Sequence, residues 1–121
     1  MCIKLFLSNL SGVIRLLTYN THYCKGGTDP GSLNDLNTKR FANILKVLDA
    51  DVVALQELDS AANGRWKRVL LDDIAKWSEL DYVQVYGIAA DYDGGSVGNG
   101  TLVKRWLPIK KIKKMKLGSD V

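Results

Sequence analysis

The sequence has few cysteines and almost no histidine, and these shortages exclude several kinds of site. Its 121 residues include two cysteines and one histidine. Cys2 and Cys24 do not form a CxxC pair, and with His22 as the single imidazole we expect no structural zinc site. The two thiols could form a disulfide in an oxidising compartment, but two separate thiols are the simpler expectation.

The chain also lacks a long apolar run. No stretch approaches the roughly 20 residues that span a bilayer, so no transmembrane segment is predicted. The opening segment MCIKLFLSNLSG is partly apolar, but Ser8 and Asn9 interrupt what would be the apolar region of a signal peptide. We interpret residues 1–12 as a leader or a disordered start and residues 13–121 as one domain, and localisation stays open.

The composition is that of an ordinary globular protein. Hydrophobic residues make up 46% of the chain and charged residues 25%, which argues against disorder. The net charge of +4 suits an anionic partner without requiring one. No internal repeat is present, so we expect a single domain with a modest core.

Apolar patterning predicts the element order β-α-β-α-β-β-β, which indicates an α/β fold. Strands are expected at Ile14–Tyr19 and in the segments DADVVALQEL, YVQVYGIAA and TLVKR. CKGGTDPGSLND and DYDGGSVGNG are rich in turn-forming residues and are expected to be loops. PIKKIKKMKL could be either a strand or a basic helix.

Two amphipathic helices are predicted between the strands. The first has a buried face spaced at i, i+3, i+4 and i+7, with Asn37 as its N-cap. The residues of that face are Phe41, Ile44, Leu45 and Leu48. The face of the second helix is marked by Trp66, Val69, Leu70, Ile74 and Trp77.

Two apolar strands end in polar groups that are costly to bury unpaired. Asn20 follows the first strand and Glu57 ends the second. Strand alternation predicts Glu57 and Asp59 on one face and Gln56 on the other. If the two strands are neighbours, the Glu57 carboxylate and the Asn20 amide meet at one rim, where an all-oxygen pair suits Mg²⁺. Spacing alone favours a simpler interpretation, in which Glu57 is solvated and Asn20 opens a turn.

The segments LLTYNTHYCKG, DADVVALQELDS and GSVGNGTLVKRWLPI, in this order, resemble the endonuclease/exonuclease/phosphatase superfamily with its DNase-I-like fold. Asn20 matches the end of the family's first motif, and Gln56 and Glu57 match its Gln-Glu motif. The resemblance runs from about residue 14 to about residue 117 and covers only the family's first half. It implies half of a four-layer α/β/β/α sandwich, with a mixed sheet that carries helices on one face.

The resemblance also implies a Mg²⁺- or Mn²⁺-dependent phosphoesterase, with Glu57 as a metal ligand and Asn20 assisting. Four further residues are candidates for supporting the metal or contacting substrate. They are Gln56, Asp59, His22 and Asn99. Gln56 is expected to fix the strand end, Asp59 to support the site or cap the next segment, and His22 to contact phosphate or stay solvated.

One departure from the family pattern concerns its second half. That half contributes an Asp and Asn pair and a terminal Asp-His pair, whereas His22 is the only histidine here. We therefore expect an amino-terminal half, as a truncated product, a fragment or a degenerate relative. Its sheet would expose an apolar inner face, so we expect a homodimer, a separate carboxy-terminal half or aggregation.

Basic residues crowd the end of the sequence. They are Lys104, Arg105, Lys110, Lys111, Lys113, Lys114 and Lys116. They could contact a phosphate backbone, including that of a nucleic acid, or form a solvated edge strand. Two functions follow: the metal-binding half of a phosphoesterase that acts on phosphodiesters or phosphomonoesters, or a non-catalytic remnant that binds a partner or anions.

Overall fold

The computed structural model describes residues 2–7, 12–25 and 35–115. The strands are β1 (Cys2–Leu7), β2 (Leu16–Asn20), β3 (Val52–Ser60), β4 (Tyr82–Tyr92), β5 (Gly95–Lys104) and β6 (Ile109–Met115). The helices are α1 (Asp35–Leu48) and α2 (Leu70–Ser78). Most of the loop predicted before α1, and Lys116, lie outside the described residues. Within the part described, no helix is long and apolar enough to cross a bilayer.

The main sheet is mixed and has the strand order β2-β3-β5-β4. β2 and β3 run parallel, and Asn20 lies opposite Gln56. Helix α1 forms the crossover connection that two parallel strands require. β5 is antiparallel to both β3 and β4. The predicted element order from β2 onward and the predicted pairing of the first two strands are confirmed.

A second sheet pairs β1 with β6 in antiparallel register, with Cys2 opposite Met115. The segment PIKKIKKMKL was predicted to be either a strand or a basic helix. It therefore forms a strand, β6. No strand was expected within residues 1–12, where the structure has β1. The division of the chain at residue 12 stays a prediction.

The core lies between the main sheet and the two helices. Leu45 and Ile74 from the helices pack with Val53, Leu55 and Leu102 from β3 and β5. These are alternate strand residues, as a sheet with one helix-covered face requires. On the opposite face a smaller cluster forms around Val52, Val103 and Leu107, with Leu5 and Ile109 packed against it. Both helices thus lie on one face, as predicted.

Helix α1 buries a different stripe from the predicted one. Its buried residues are Thr38, Phe41, Ala42 and Leu45, whereas Ile44 and Leu48 are exposed. The two stripes have identical spacing, and a threonine in place of an apolar residue concealed the correct one. The predicted N-cap, Asn37, lies inside the helix.

Helix α2 begins at Leu70 rather than at Trp66. Trp66 has a φ of +57° and follows the 3₁₀ turn Asn63–Arg65, and this left-handed residue keeps the chain from entering the helix there. The predicted loop DYDGGSVGNG is mostly strand. Asp93 and Gly94 have φ values of +46° and +80°, as a type I′ turn requires, so they join β4 directly to β5.

Candidate metal-binding strand end

Glu57 lies at an irregularity in β3. Leu55 is opposite Gly100 and Leu58 is opposite Gly98, so Gln56 and Glu57 together face the single residue Asn99. This is a β-bulge, which bends the strand and redirects a side chain. Glu57 has a φ of +56°, an uncommon value for a residue with a side chain.

The bulge interrupts the regular alternation of side chains along β3. Regular alternation would place Leu55 and Leu58 on opposite faces, but the extra residue brings both into the same core. The predicted shared face of Glu57 and Asp59 stays a prediction. Asp59 is completely buried, whereas the Glu57 side chain is 39% exposed. The two carboxylates therefore occupy different environments, and only Glu57 is accessible to a ligand from solvent.

Asn20, His22 and Glu57 meet at one end of the main sheet, and we call these three residues the strand-end site. Oδ1 of Asn20 accepts the backbone N–H of His22 at 2.9 Å, an Asx turn that starts the 3₁₀ turn His22–Cys24. That turn brings Nδ1 of His22 to 3.3 Å from Oε2 of Glu57. The end of the sheet where β2 and β3 meet thus also carries the His22 imidazole.

Thr21 fastens the bulge to β2, a role that the sequence did not suggest. Its hydroxyl lies 2.8 Å from the carbonyl oxygen of Glu57 and 3.1 Å from that of Gln56, and its N–H donates to the Gln56 carbonyl at 3.0 Å. Thr21 is buried. These bonds satisfy the carbonyl groups that the bulge removes from the strand ladder.

Gln56 and Asn99 lie beside the strand-end site. Nε2 of Gln56 donates to Oγ1 of Thr18 at 3.1 Å and to the Ala54 carbonyl at 3.3 Å, which ties β3 to β2. A cavity of about 270 Å³ opens next to them, lined in part by Gln56, Asn99 and Thr101. Polar groups therefore continue from the strand-end site onto the sheet face.

Asp59 belongs to a buried group of charges, which with Arg65 and Arg68 we call the charge cluster. Nε and Nη2 of Arg68 donate to the two Asp59 carboxylate oxygens at 3.0 and 2.9 Å, and Nη1 of Arg65 donates to Oδ2 at 3.0 Å. All three residues are buried. The sequence contained a signal for this cluster, because two arginines follow Asp59 at separations of six and nine residues.

Burial and the Asp59 charge act in opposite directions on Arg68. Burial lowers the pKa of its guanidinium, but the hydrogen bond and charge of Asp59 outweigh this, so the pKa is raised overall. Nearby, burial raises the pKa of the Cys24 thiol. Cys2 and Cys24 are separate free thiols.

The strand-end site has the donor types that a hard cation prefers. Glu57 offers an accessible carboxylate, and the Asn20 amide oxygen keeps one lone pair beyond its bond to His22. Among the described residues, no group of three or more His, Cys, Asp or Glu side chains could hold a metal. A carboxylate and an amide oxygen are donors that suit Mg²⁺, which takes one or two protein carboxylates and keeps several waters.

Comparison with known proteins identifies a family and a fold. The model of the endonuclease/exonuclease/phosphatase family matches residues 17–117. The chain belongs to this family. A structure of an endonuclease/exonuclease/phosphatase family protein from Leptotrichia buccalis C-1013-b matches with a TM-score of 0.51 and 20% identity. A comparison with curated proteins gave no match.

The Leptotrichia match covers 75% of this chain and 37% of that one, so the present chain spans well under half the length of that structure. At this identity the likeness concerns the fold alone. The mixed sheet with two helices on one face is part of a DNase-I-like fold. The family assignment and the fold class expected from the sequence are both confirmed.

Proposed function

We propose that this chain provides the metal-binding part of a phosphoesterase, with Glu57 as the main ligand of Mg²⁺ or Mn²⁺ and Asn20 assisting. The observation that carries the proposal is the bulge at Glu57, which leaves a half-exposed carboxylate at the strand end where Asn20 lies. Membership of a family that acts on phosphoesters supports the reaction class.

A bound cation would stabilise the negative charge that develops on the phosphoryl oxygens during hydrolysis. The other contributions come from the chain itself. Glu57 supplies the charge that attracts the cation, and Thr21 holds the bulge in place. The His22 ring, 76% exposed and next to Glu57, can donate a hydrogen bond to a phosphate oxygen.

Affinity and turnover are expected to be low. Two protein ligands define a weak site, with a dissociation constant of about millimolar by analogy with weak oxygen-ligand sites. The chain has a single histidine, so it offers few groups for acid–base catalysis. Removing one member of a catalytic constellation typically costs orders of magnitude in rate, and we expect slow hydrolysis by these 121 residues alone.

The substrate class that we propose is a phosphodiester or phosphomonoester, with nucleic acid as one candidate. Exposed lysines on β6 support an anionic substrate. They are Lys110, Lys111, Lys113 and Lys114. In contrast, Lys104 and Arg105 form ion pairs with Asp49 and Asp81. Binding through the β6 lysines would weaken as salt concentration rises.

The test is a Mn²⁺ titration followed by NMR. Paramagnetic broadening is expected first at the Glu57 and Asn20 side chains and is expected to vanish in Glu57→Gln. Glu79→Gln is the matched control, because Glu79 is an exposed acid that pairs with Lys46 away from this site. A Mg²⁺-dependent assay on a generic phosphodiester accompanies the titration. Equal broadening in wild type and Glu57→Gln would refute the assignment.

A further inference from the structure

The loop that carries His22 has an unusual backbone. His22, Tyr23 and Cys24 have φ values of +48°, +56° and +50°, and none of them is glycine. Residues with side chains adopt this region singly, and consecutive ones persist only when surrounding contacts impose them. A specific contact is therefore needed to hold His22 where it meets Glu57.

Arg68 makes that contact from inside the protein. Its Nη2 donates to the carbonyl oxygen of Tyr23 at 2.5 Å, and the same guanidinium binds both oxygens of Asp59. Asp59 lies just after the bulge that presents Glu57, and Tyr23 directly follows His22. One planar group thus joins the two segments on which the strand-end site is built.

Stability alone is a poor explanation for this arrangement. Two guanidinium groups share one carboxylate in a buried place, and Nη1 of Arg68 has no hydrogen-bond partner among the described residues. A buried charge with an unmet donor is costly, and an apolar residue of similar size often stabilises a core as well. The fork geometry of arginine, in contrast, is suited to linking a carboxylate and a carbonyl at fixed positions.

We infer that Arg68 is a positioning residue, which locks the left-handed turn at Tyr23 and so keeps the His22 imidazole against the Glu57 carboxylate. This inference rests on the proposed function, since it concerns the geometry of the same site. Arg68 does not touch the ligand; it determines whether His22 and Glu57 act at one place.

Arg65 provides a matched comparison within the cluster. Its guanidinium also pairs with Asp59 and lies 4.3 Å from the centre of the Tyr23 ring, but the Tyr23 carbonyl bond belongs to Arg68. Arg65→Gln and Arg68→Gln therefore remove the same charge from the same cluster. Only Arg68→Gln removes the bond to the turn.

The experiment measures the nuclear Overhauser effect between the His22 ring and the Glu57 side chain in the metal-free chain. We expect this effect in wild type and in Arg65→Gln, and we expect its loss in Arg68→Gln. Unchanged signals from Leu55 and Ile74 would show that the core of each variant is intact. With Mn²⁺ added, His22 and Glu57 are expected to broaden together in wild type. In Arg68→Gln, Glu57 broadens and His22 does not.

Retention of the His22–Glu57 effect in Arg68→Gln would overturn the inference, and so would its equal loss in Arg65→Gln. If Arg68→Gln does not fold, Arg68→Met replaces it, because its side chain fills a similar volume and donates no hydrogen bond to Asp59 or to the Tyr23 carbonyl. Retention of the His22–Glu57 effect in that variant would also overturn the inference. If Mn²⁺ fails to broaden Glu57 in wild type while the metal-free results hold, the proposed function fails and the positioning role stands.

Discussion

Nδ1 of His22 lies 3.3 Å from Oε2 of Glu57, although 35 residues separate them in the chain. The contact depends on two local departures from regular structure. One is the bulge in β3, and the other is the left-handed turn after β2. Backbone strain of this kind is commonly retained at functional sites.

Strain at Glu57 predicts that binding and stability can be separated by mutation. Glu57→Gly should raise the free energy of unfolding by about 1 kcal/mol, because glycine adopts positive φ without steric cost. The same change should abolish Mn²⁺ broadening at the strand-end site. Urea unfolding and the metal titration measure the two effects. Glu57→Ala is the control that removes the carboxylate but keeps the strain, and a stability gain in that variant too would contradict this explanation.

The charge cluster predicts a large penalty for removing its single carboxylate. Asp59→Asn should lower the free energy of unfolding by about 3–5 kcal/mol, because it leaves two buried guanidinium groups without a counter-ion. Asp81→Asn is the matched control, since Asp81 pairs with Arg105 at the surface and should cost about 0–1 kcal/mol. Denaturant midpoints of the two variants give the comparison. Similar midpoints would show that Asp59 is not held as described.

The buried phenol of Tyr82 is expected to lower the free energy of unfolding at alkaline pH. Burial raises the pKa of its phenol from 10.0 to about 12, and its hydroxyl donates to the Ala50 carbonyl at 2.7 Å. The raised pKa means that the folded state favours the neutral phenol. This contribution, about 2–3 kcal/mol, is complete below pH 10 and is lost as the pH rises through 12. Unfolding followed across this window should show the decline, and Tyr82→Phe should flatten it. If the free energy of unfolding falls equally with pH in Tyr82→Phe, ionisation of Tyr82 is not the cause of the decline.

Self-association through the part of the sheet face that β1 and β6 leave uncovered is a further prediction. Leu16 lies on the face opposite the helices and is 73% exposed, whereas Val47, on α1, is 76% exposed. If two copies pair through the sheet, Leu16→Lys should weaken the dimer and Val47→Lys should leave it unchanged. Sedimentation at several concentrations distinguishes the variants. If Val47→Lys weakens the dimer and Leu16→Lys does not, the interface lies on the helices. A wild-type chain that stays monomeric would exclude the dimer.

Local patterns predicted β2, β3 and β4 and the common rim of Asn20 and Glu57, because apolar runs and terminal polar groups are visible in the sequence. They missed β1 and the first half of β5. The bulge in β3 was not predicted, since alternation assumes an unbroken ladder and nothing in QEL marks a bulge. The stripe of α1 was misplaced because Thr38 is buried in it. Arg68 escaped notice because its role depends on Tyr23, which is 45 residues away in the chain.

The pairing of β1 with β6 has a consequence for the order of folding. The type I′ turn at Asp93 and Gly94 lets β4 and β5 meet early, because closing so short a loop costs little entropy. Cys2 and Met115, in contrast, meet only after nearly the whole chain has been ordered. Amide hydrogens of β1 should therefore exchange with solvent well before those of β5, and the two-stranded sheet should open while the strand-end site is still intact.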